Sequence, residues 1–229
     1  MKRFGLFFVI FAFVLSACNS NKVKIRGDVK GLQGMVKLLA EMPGRDGLVV
    51  LAQQDVVDGK IELVTDSLAL PGRVWVDIAG KNTLEAIVDT KDQIWIEGKI
   101  KFPDQIEVKG SGLDTEYAKL KKQFKEKYEG PIESVDKKIA KIMSKEKRTN
   151  NEDVMLGIFH MQKNRHIKNR ANWVKQLIEA NPNQELSLFL LKDELRDSLD
   201  LQKRLFQKME IPNKESNIYK NIEADLQEK

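Results

Sequence analysis

The residues of this 229-residue chain best suited to nucleophilic, redox or metal chemistry are one cysteine, Cys18, and two histidines, His160 and His166. A single thiol cannot form a Cys-x-x-Cys redox pair or supply the several thiolates of a zinc or iron–sulfur site. The two histidines are six residues apart, about 240° around a helix, and no His-Glu-x-x-His pattern accompanies them. We therefore expect no catalytic residue, no metal site and no cofactor.

Ser111 is the other residue whose surroundings could indicate catalysis, because it stands between Gly110 and Gly112. The segment does not match a G-x-S-x-G nucleophile elbow, and no glycine-rich run in the chain has the spacing of a phosphate-binding loop. We expect Ser111 or the nearby Asp114 to cap the helix that follows. The chain is therefore predicted not to be an enzyme.

The amino terminus carries the most specific motif. Lys2 and Arg3 precede an apolar run from residue 4 to residue 15, too short for a membrane span of about 20 residues but suited to a secretory signal. The four residues that follow, Leu15-Ser16-Ala17-Cys18, resemble the lipobox of bacterial lipoproteins. This resemblance implies that residues 1–17 are a signal peptide and that Cys18 is acylated, for example with palmitate. The alternative is an ordinary secreted protein whose cleavage site happens to carry a cysteine.

The tether after the predicted anchor, residues 18–22, is short and polar. Two or more acyl chains hold a protein stably on a membrane, so we expect the chain to reside in the bacterial cell envelope. The tether lacks the acidic cluster found in surface-exported lipoproteins of Bacteroides-like bacteria. That absence favours the periplasmic face of the outer membrane.

Two halves with different hydrophobic periods follow the tether. Residues 23–110 alternate apolar and polar side chains in about eight short runs separated by turn residues, which predicts an antiparallel β-sandwich. Asp58-Gly59 is typical of a hairpin turn. Residues 111–229 show helical spacing, with helices expected to begin near Leu113, Pro131 and Val154 and the last of these to stop at Asn181-Pro182. The predicted fold class is α+β, a β-sandwich domain followed by an all-helical domain.

The charge pattern excludes a nucleic-acid-binding surface as the main feature. The net charge is +5, but Lys and Glu are interspersed along the predicted helices and are not gathered on one face. One local basic cluster comprises Lys141, Lys145, Lys147 and Arg148. It could contact phospholipid headgroups, although a solvated helix end is the favoured interpretation.

Two tryptophans form the candidate partner or ligand face. Trp75 and Trp95 each stand between two aliphatic residues of a predicted strand, so alternation places both rings on the polar face of the sheet, with Arg73 and Asp77 beside Trp75. If the two rings are exposed, they would form a face that binds a peptide, a glycan or a protein partner. The favoured alternative is that the helical half packs over this face and buries both rings.

Several segments of the first half have a familiar order: Ile25-Arg26-Gly27-Asp28-Val29, Val57-Asp58-Gly59-Lys60-Ile61, Ile87-Val88-Asp89, Ile94-Trp95-Ile96-Glu97-Gly98 and Val108-Lys109-Gly110-Ser111. The chain resembles the module known as domain of unknown function 4369, found at the N-terminus of Bacteroides-type thiol-disulfide interchange (TlpA/ResA-like) lipoproteins. In those proteins a helical segment and then a thioredoxin-like domain follow. We expect this chain to be the module without the thioredoxin-like domain, so the resemblance implies no redox residue in it.

These observations predict a lipid-anchored envelope protein that acts as a non-catalytic binding or scaffolding module, with an envelope protein as its expected partner. Two alternatives remain open. The protein could dock a separate thioredoxin-like oxidoreductase, or it could carry or sense an apolar envelope ligand held between the β-sandwich and the helices.

Overall fold

The computed structural model describes residues 22–89 and 94–227. The predicted signal peptide, residues 1–17, and the predicted lipidation residue Cys18 lie outside the described residues. Within the described ranges, eight β-strands and six α-helices confirm the α+β fold class. The strands are β1 (Val23–Lys30), β2 (Gly34–Glu41), β3 (Leu48–Val56), β4 (Lys60–Thr65), β5 (Gly72–Ile78), β6 (Asn82–Val88), β7 (Ile94–Lys99) and β8 (Glu107–Lys109). The helices are α1 (Gly112–Phe124), α2 (Gly130–Met143), α3 (Asn150–Ala180), α4 (Glu185–Glu194), α5 (Leu199–Phe206) and α6 (Asn217–Gln227).

The strands form two four-stranded sheets, the first in the order β4-β1-β7-β8 and the second in the order β3-β2-β5-β6. All neighbouring pairs are antiparallel except β1 and β7, which run parallel. The prediction of a purely antiparallel arrangement is therefore wrong at this pair. The chain makes five other strands between β1 and β7, so it has the length that a crossover connection between parallel strands requires.

The two sheets share one hydrophobic core, to which alternate residues of each strand contribute. In β1, for example, Val23, Ile25 and Val29 are buried, whereas the charged residues between them are less so. Gly27 is also buried, and a Cβ there would lie 2.4 Å from the carbonyl oxygen of Ile96 on the parallel neighbour. The close approach of β1 and β7 therefore requires glycine at this position.

The Asp58-Gly59 turn has the expected glycine geometry but a different role from the one predicted. Gly59 has φ +84°, and a Cβ there would lie 2.6 Å from the Val29 carbonyl oxygen. The strands on either side, β3 and β4, belong to different sheets, so the prediction of a hairpin here is wrong. The turn carries the chain from one sheet to the other, and local sequence does not distinguish such a corner from a hairpin.

The helical residues begin where a side-chain cap is predicted. The Ser111 hydroxyl accepts the backbone N–H of Asp114 at 3.1 Å and so caps α1. The prediction of a separate helix opening at Pro131 is wrong, because a π-helical turn, Lys125–Glu129, joins α1 to α2. Pro131 closely follows the π-helical turn, where the regular hydrogen-bond ladder of the helix is already interrupted.

The long helix α3 starts four residues earlier than Val154, because Thr149 and Glu152 form a capping box at its N-terminus. It ends at Ala180, immediately before the predicted stop at Asn181-Pro182. Helices α1, α3, α4, α5 and α6 enclose a second hydrophobic core. That core also includes Ile87 of β6, which is 1% exposed. The helices therefore pack on the outer face of the second sheet.

Candidate functional site

The two tryptophans of the predicted face lie on different sheets. Trp75 is on β5 of the second sheet, between Leu39 and Glu85 on the neighbouring strands. Trp95 is on β7 of the first sheet, between Arg26 and Lys109. They therefore do not form one aromatic platform, because strand alternation determines the face on which a residue lies but not the sheet to which its strand belongs.

The expectation that the helical half buries both rings is wrong for Trp95. Its side chain is 42% exposed on the outer face of the first sheet, whereas Trp75 is half-buried. The Trp95 indole N–H donates to Glu97 at 3.3 Å, and Glu97 also accepts from Lys109 at 2.6 Å. The hydrogen bond and the charge of Lys109 hold the pKa of Glu97 below its ordinary value. Trp95 is thus a single exposed ring among charged neighbours.

Asp77, another member of the predicted face, shapes a turn. Its carboxylate accepts the backbone N–H of Gly80 at 2.8 Å. Ala79 and Gly80 both have positive φ, 52° and 68°, and the N–H of Lys81 donates to the Ile78 carbonyl at 3.0 Å. This is the geometry of the tight turns that join antiparallel strands, so Asp77 fixes the β5–β6 connection.

Arg73 is the residue of the predicted face that lies at the centre of a built site. Its two terminal nitrogens donate to the two carboxylate oxygens of Asp193 on α4, at 2.8 and 2.5 Å. Nε lies 3.2 Å from Glu85 on β6, close enough for an ion pair although the angle is not that of a hydrogen bond. The side chains of Arg73 and Asp193 are 13% and 22% exposed. The bidentate pair joins the second sheet directly to the helices.

Two aromatic rings enclose the guanidinium. Its central carbon lies 5.7 Å from the ring centroid of Tyr117 on α1 and 5.5 Å from that of Phe189 on α4. The Tyr117 hydroxyl donates to the same Asp193 carboxylate. We call Arg73, Glu85, Tyr117, Phe189 and Asp193 the Arg73 cluster. Planar Arg–carboxylate pairing combined with stacking on aromatic rings is a geometry that Lys cannot reproduce.

The electrostatics of the cluster keep each group in its ordinary protonation state. Burial alone would raise the pKa of Asp193, but the hydrogen bonds and charge of Arg73 and the Tyr117 hydroxyl lower it below its usual value. Burial and the Asp193 carboxylate raise the pKa of Tyr117 far above that of a free phenol. Burial alone would lower the pKa of Arg73, yet Asp193 and Glu85 raise it. At neutral pH, Asp193 is therefore an anion, Tyr117 is neutral and Arg73 is a cation.

A cleft of about 390 Å³ opens beside the cluster, between the second sheet and α1, α4, α5 and α6. Its walls are mainly charged and mainly paired. Lys192 lies 2.6 Å from Glu41 and 3.4 Å from Asp225. An acid–base catalyst needs a pKa near the working pH and a free proton site, which neither Asp193 nor Tyr117 has. The arrangement is suited to holding two layers of the protein together.

Further polar contacts complete this junction. The Ser111 hydroxyl donates to the carbonyl of Ile87 at 2.8 Å, and the backbone N–H of Ile87 donates to Asp114 at 2.8 Å. Burial raises the pKa of Asp114, and the hydrogen bond from Ile87 partly offsets this rise. On α6, the side-chain amides of Asn217 and Asn221 donate to the backbone carbonyl of Glu41 on β2 at 2.9 and 3.2 Å. Helices α1 and α6 are thus bound to the second sheet by hydrogen bonds as well as by apolar packing.

Sequence reasoning had placed Arg73 on a candidate face but missed Asp193 and Tyr117. A signal for Asp193 was present in α4, where residues 188–191 are consecutive apolar side chains. A helix that is apolar on all sides is buried, and a charged residue on a buried helix needs a partner.

The two histidines are not part of this site. Both lie on α3, where His160 is exposed and His166 is half-buried. Within residues 22–89 and 94–227, no group of three or more His, Cys, Asp or Glu side chains is arranged to hold a metal ion. Cys18 lies outside the described residues.

Comparison with known proteins gives no relative from which a role could be transferred: no protein-family model, curated protein or solved structure matches the chain. In the part of the chain that the structure describes, no helix combines the length and the apolar character needed to cross a membrane.

Proposed function

We propose that this protein is a lipid-anchored cell-envelope protein and a non-catalytic binding or scaffolding module. In this proposal residues 1–17 are removed, Cys18 is acylated and residues 18–22 tether the folded part to the outer membrane at its periplasmic face. The lipobox-like Leu15-Ser16-Ala17-Cys18 supports the anchor. The two sheets, which share one core, would form a β-sandwich domain at residues 23–110, with a helical domain at 111–229.

One observation carries the non-catalytic assignment. In the Arg73 cluster, where the side chains of Arg73 and Asp193 are 13% and 22% exposed, the hydrogen-bonding groups are directed at one another across the junction. A catalytic group directs a proton, a lone pair or a charge at a substrate. Here the carboxylate of Asp193 accepts three hydrogen bonds from Arg73 and Tyr117. The cluster therefore serves to fix the helices on the sheet and so to present a rigid body.

The charge of the cleft also bears on the alternatives. A carrier of an apolar ligand needs an apolar cavity with few polar groups, whereas the cleft between the second sheet and the helices has Glu41, Glu85, Lys192 and Asp225 in its walls. The resemblance to the 4369 module supports a presenting or docking role, because in those lipoproteins the module precedes a thioredoxin-like domain. We therefore propose that the protein binds another protein of the envelope, and not an apolar ligand in the cleft.

Acyl labelling and in-cell crosslinking test the proposal together. Wild type should incorporate labelled palmitate and Cys18→Ser should not. A specific protein partner should be captured by wild type and equally by Arg73→Met/Tyr117→Phe/Asp193→Leu, which removes the guanidinium, the Tyr117 hydroxyl and the Asp193 carboxylate while keeping a similar volume. Replacing a buried ion pair by well-packed apolar residues is often neutral for stability, and circular dichroism checks that this variant is folded.

Two results would contradict the proposal. Wild-type protein that incorporates no labelled palmitate would contradict the lipid anchor. Failure of the folded triple variant to complement a strain that lacks this protein, with the captured partner unchanged, would indicate chemistry at the Arg73 cluster.

A further inference from the structure

The outward side of α3 carries a line of exposed apolar side chains. Val154, Ile158 and Met161 are 63%, 36% and 66% exposed, and their spacing of four and three residues places them on one face of the helix. Leu156, which is buried at 8% exposure, lies on the opposite face, toward α2. We call Val154, Ile158 and Met161 the apolar stripe. No described element packs on it, although it spans about two helical turns.

A groove without acidic side chains lies next to the stripe, between α2 and α3. It has a volume of about 570 Å³, and Lys138, Arg165 and His166 are its charged or titratable residues; its other lining residues are Pro131, Ser134, Val135, Gln162 and Asn169. Lys138 lies 5.6 Å from the ring centroid of Phe159. In the described part of the chain neither Lys138 nor Arg165 forms an ion pair, so the groove has a surplus of positive charge.

The four acidic residues of α2 and of residues 150–168 of α3 are paired with cations or do not line the groove. Asp136 pairs with Lys163 at 2.8 Å, Asp153 pairs with Arg148 at 3.0 Å, and Glu152 pairs with Lys145. Glu133 is not among the residues that line the groove, and it lies about 160° around α2 from Val135, which does. An anionic surface facing the groove would therefore meet cations only.

The length of the tether indicates which anionic surface that is. Strand β1 begins at Val23, and five residues of extended chain from Cys18 reach no more than about 18 Å. If Cys18 is acylated, as the proposed function holds, the folded part is held against the bilayer. An apolar stripe flanked by basic side chains is the pattern of helices that lie in a membrane interface.

We propose that the arm formed by α2 and residues 150–168 of α3 docks on an anionic phospholipid bilayer. The apolar stripe enters the interface between headgroups and acyl chains. The groove with Lys138 and Arg165 receives a lipid phosphate. The arm thereby adds a second contact to the acyl anchor and fixes the orientation of the body on the membrane.

The test is vesicle flotation with a chain of residues 22–229, which lacks the anchor, so that failure of the arm and failure of acylation are distinguishable. Both hydrophobic cores are built from residues between 23 and 222, so this chain contains everything that they require. It should float with vesicles of phosphatidylglycerol and phosphatidylcholine and not with phosphatidylcholine alone. Added salt should weaken the binding, because it screens exposed charges.

Two pairs of variants locate the contact. Lys138→Gln/Arg165→Gln should weaken partitioning roughly 30-fold, at about fivefold for each basic side chain near an anionic surface. Its control, Lys119→Gln/Lys122→Gln, removes the same charge from exposed positions of α1 and should change partitioning by less than about threefold. Ile158→Ser/Met161→Ser should weaken binding at least tenfold, whereas Val57→Ser/Phe102→Ser, at exposed positions outside the arm, should not.

Three outcomes would overturn the proposal. One is no flotation with phosphatidylglycerol vesicles. Another is an equal loss of vesicle binding in the arm variants and in their controls, which would indicate diffuse charge attraction. The third is that the chain does not bind vesicles but captures an acidic protein, and that Ile158→Ser/Met161→Ser abolishes this capture.

Discussion

The junction between sheet and helices and the arm of α2 and α3 are built on opposite principles. At the junction, Arg73 and Asp193 are largely buried and paired, and Ile87 of the sheet belongs to the helical core. Along the arm, Val135 and Leu156 are the buried residues of α2 and of the first half of α3. The arm exposes a stripe of apolar side chains, whereas the junction exposes almost none.

This difference separates structural from interacting surfaces. In a buried ion pair whose terminal nitrogens and carboxylate oxygens hydrogen-bond to each other, these groups are not free for a ligand, and removing one partner is costly. An exposed apolar line leaves water-accessible area that only an external surface can cover. The polar side chains of the Arg73 cluster thus contribute to the architecture, and Val154, Ile158 and Met161 of α3 are among the apolar side chains that remain exposed.

The strongest way to break the junction is Asp193→Ala, which leaves the buried Arg73 guanidinium with Glu85, 3.2 Å from Nε, as its remaining partner. We expect the free energy of unfolding to fall by about 3–5 kcal/mol, the usual cost of removing one partner from a buried pair. Urea denaturation measures the change. The apolar replacement Arg73→Met/Asp193→Leu is the control and should recover most of the loss. If the double variant stays as unstable as Asp193→Ala, the Arg73–Asp193 pair does more than hold the sheet and the helices together.

The same substitution in both regions sharpens the comparison. Ile87→Ala removes a fully buried side chain from the junction and should cost about 2–5 kcal/mol. Ile158→Ala in the apolar stripe should change stability by less than about 0.5 kcal/mol, since exposed positions contribute little. Thermal and urea unfolding of the two variants measure both effects. Similar losses would mean that the stripe is packed against another part of the chain.

The contribution of the junction should depend on pH. Because the folded pKa of Asp193 lies below the unfolded value, about 3.9, its contribution is complete above that value and is lost as the pH falls through the folded pKa. Wild type should exceed Asp193→Asn in stability by about 2 kcal/mol at neutral pH. The gap should stay constant down to about pH 5 and narrow below about pH 4. A gap that widens in acid would contradict the ion pair.

The smallest expected effect concerns the start of the long helix. Thr149→Ala removes the side-chain half of the capping box with Glu152 and should cost about 1 kcal/mol, localised to the first turn of α3. Hydrogen exchange at residues 150–153 should accelerate while exchange at β5 and α4 stays unchanged. Acceleration throughout the protein would show that the arm and the junction unfold as one unit.

Local patterns in the sequence predict much of this fold. Alternation indicates which residues of β1 are buried, Ser111 caps α1, and Asn181-Pro182 stops α3. Each of these features depends on neighbours within a few residues, so the sequence alone contains the information.

Pairing over long distances was not predictable in the same way. Trp75 and Trp95 have the same local pattern but belong to different sheets, and β1 pairs in parallel with a strand about 70 residues later in the chain. Asp193 meets Arg73 across 120 positions. The period of apolar residues along a strand or helix cannot reveal such partners, because it specifies a face of the element and not what packs on that face.

Hydrogen exchange with and without anionic vesicles tests the central claim, that the junction is a closed structural contact and the arm an open docking surface. With the chain of residues 22–229, phosphatidylglycerol vesicles should slow exchange in peptides from residues 150–168 and leave peptides around Arg73 and Asp193 unchanged. Protection at the Arg73 cluster with no change along the arm would contradict it.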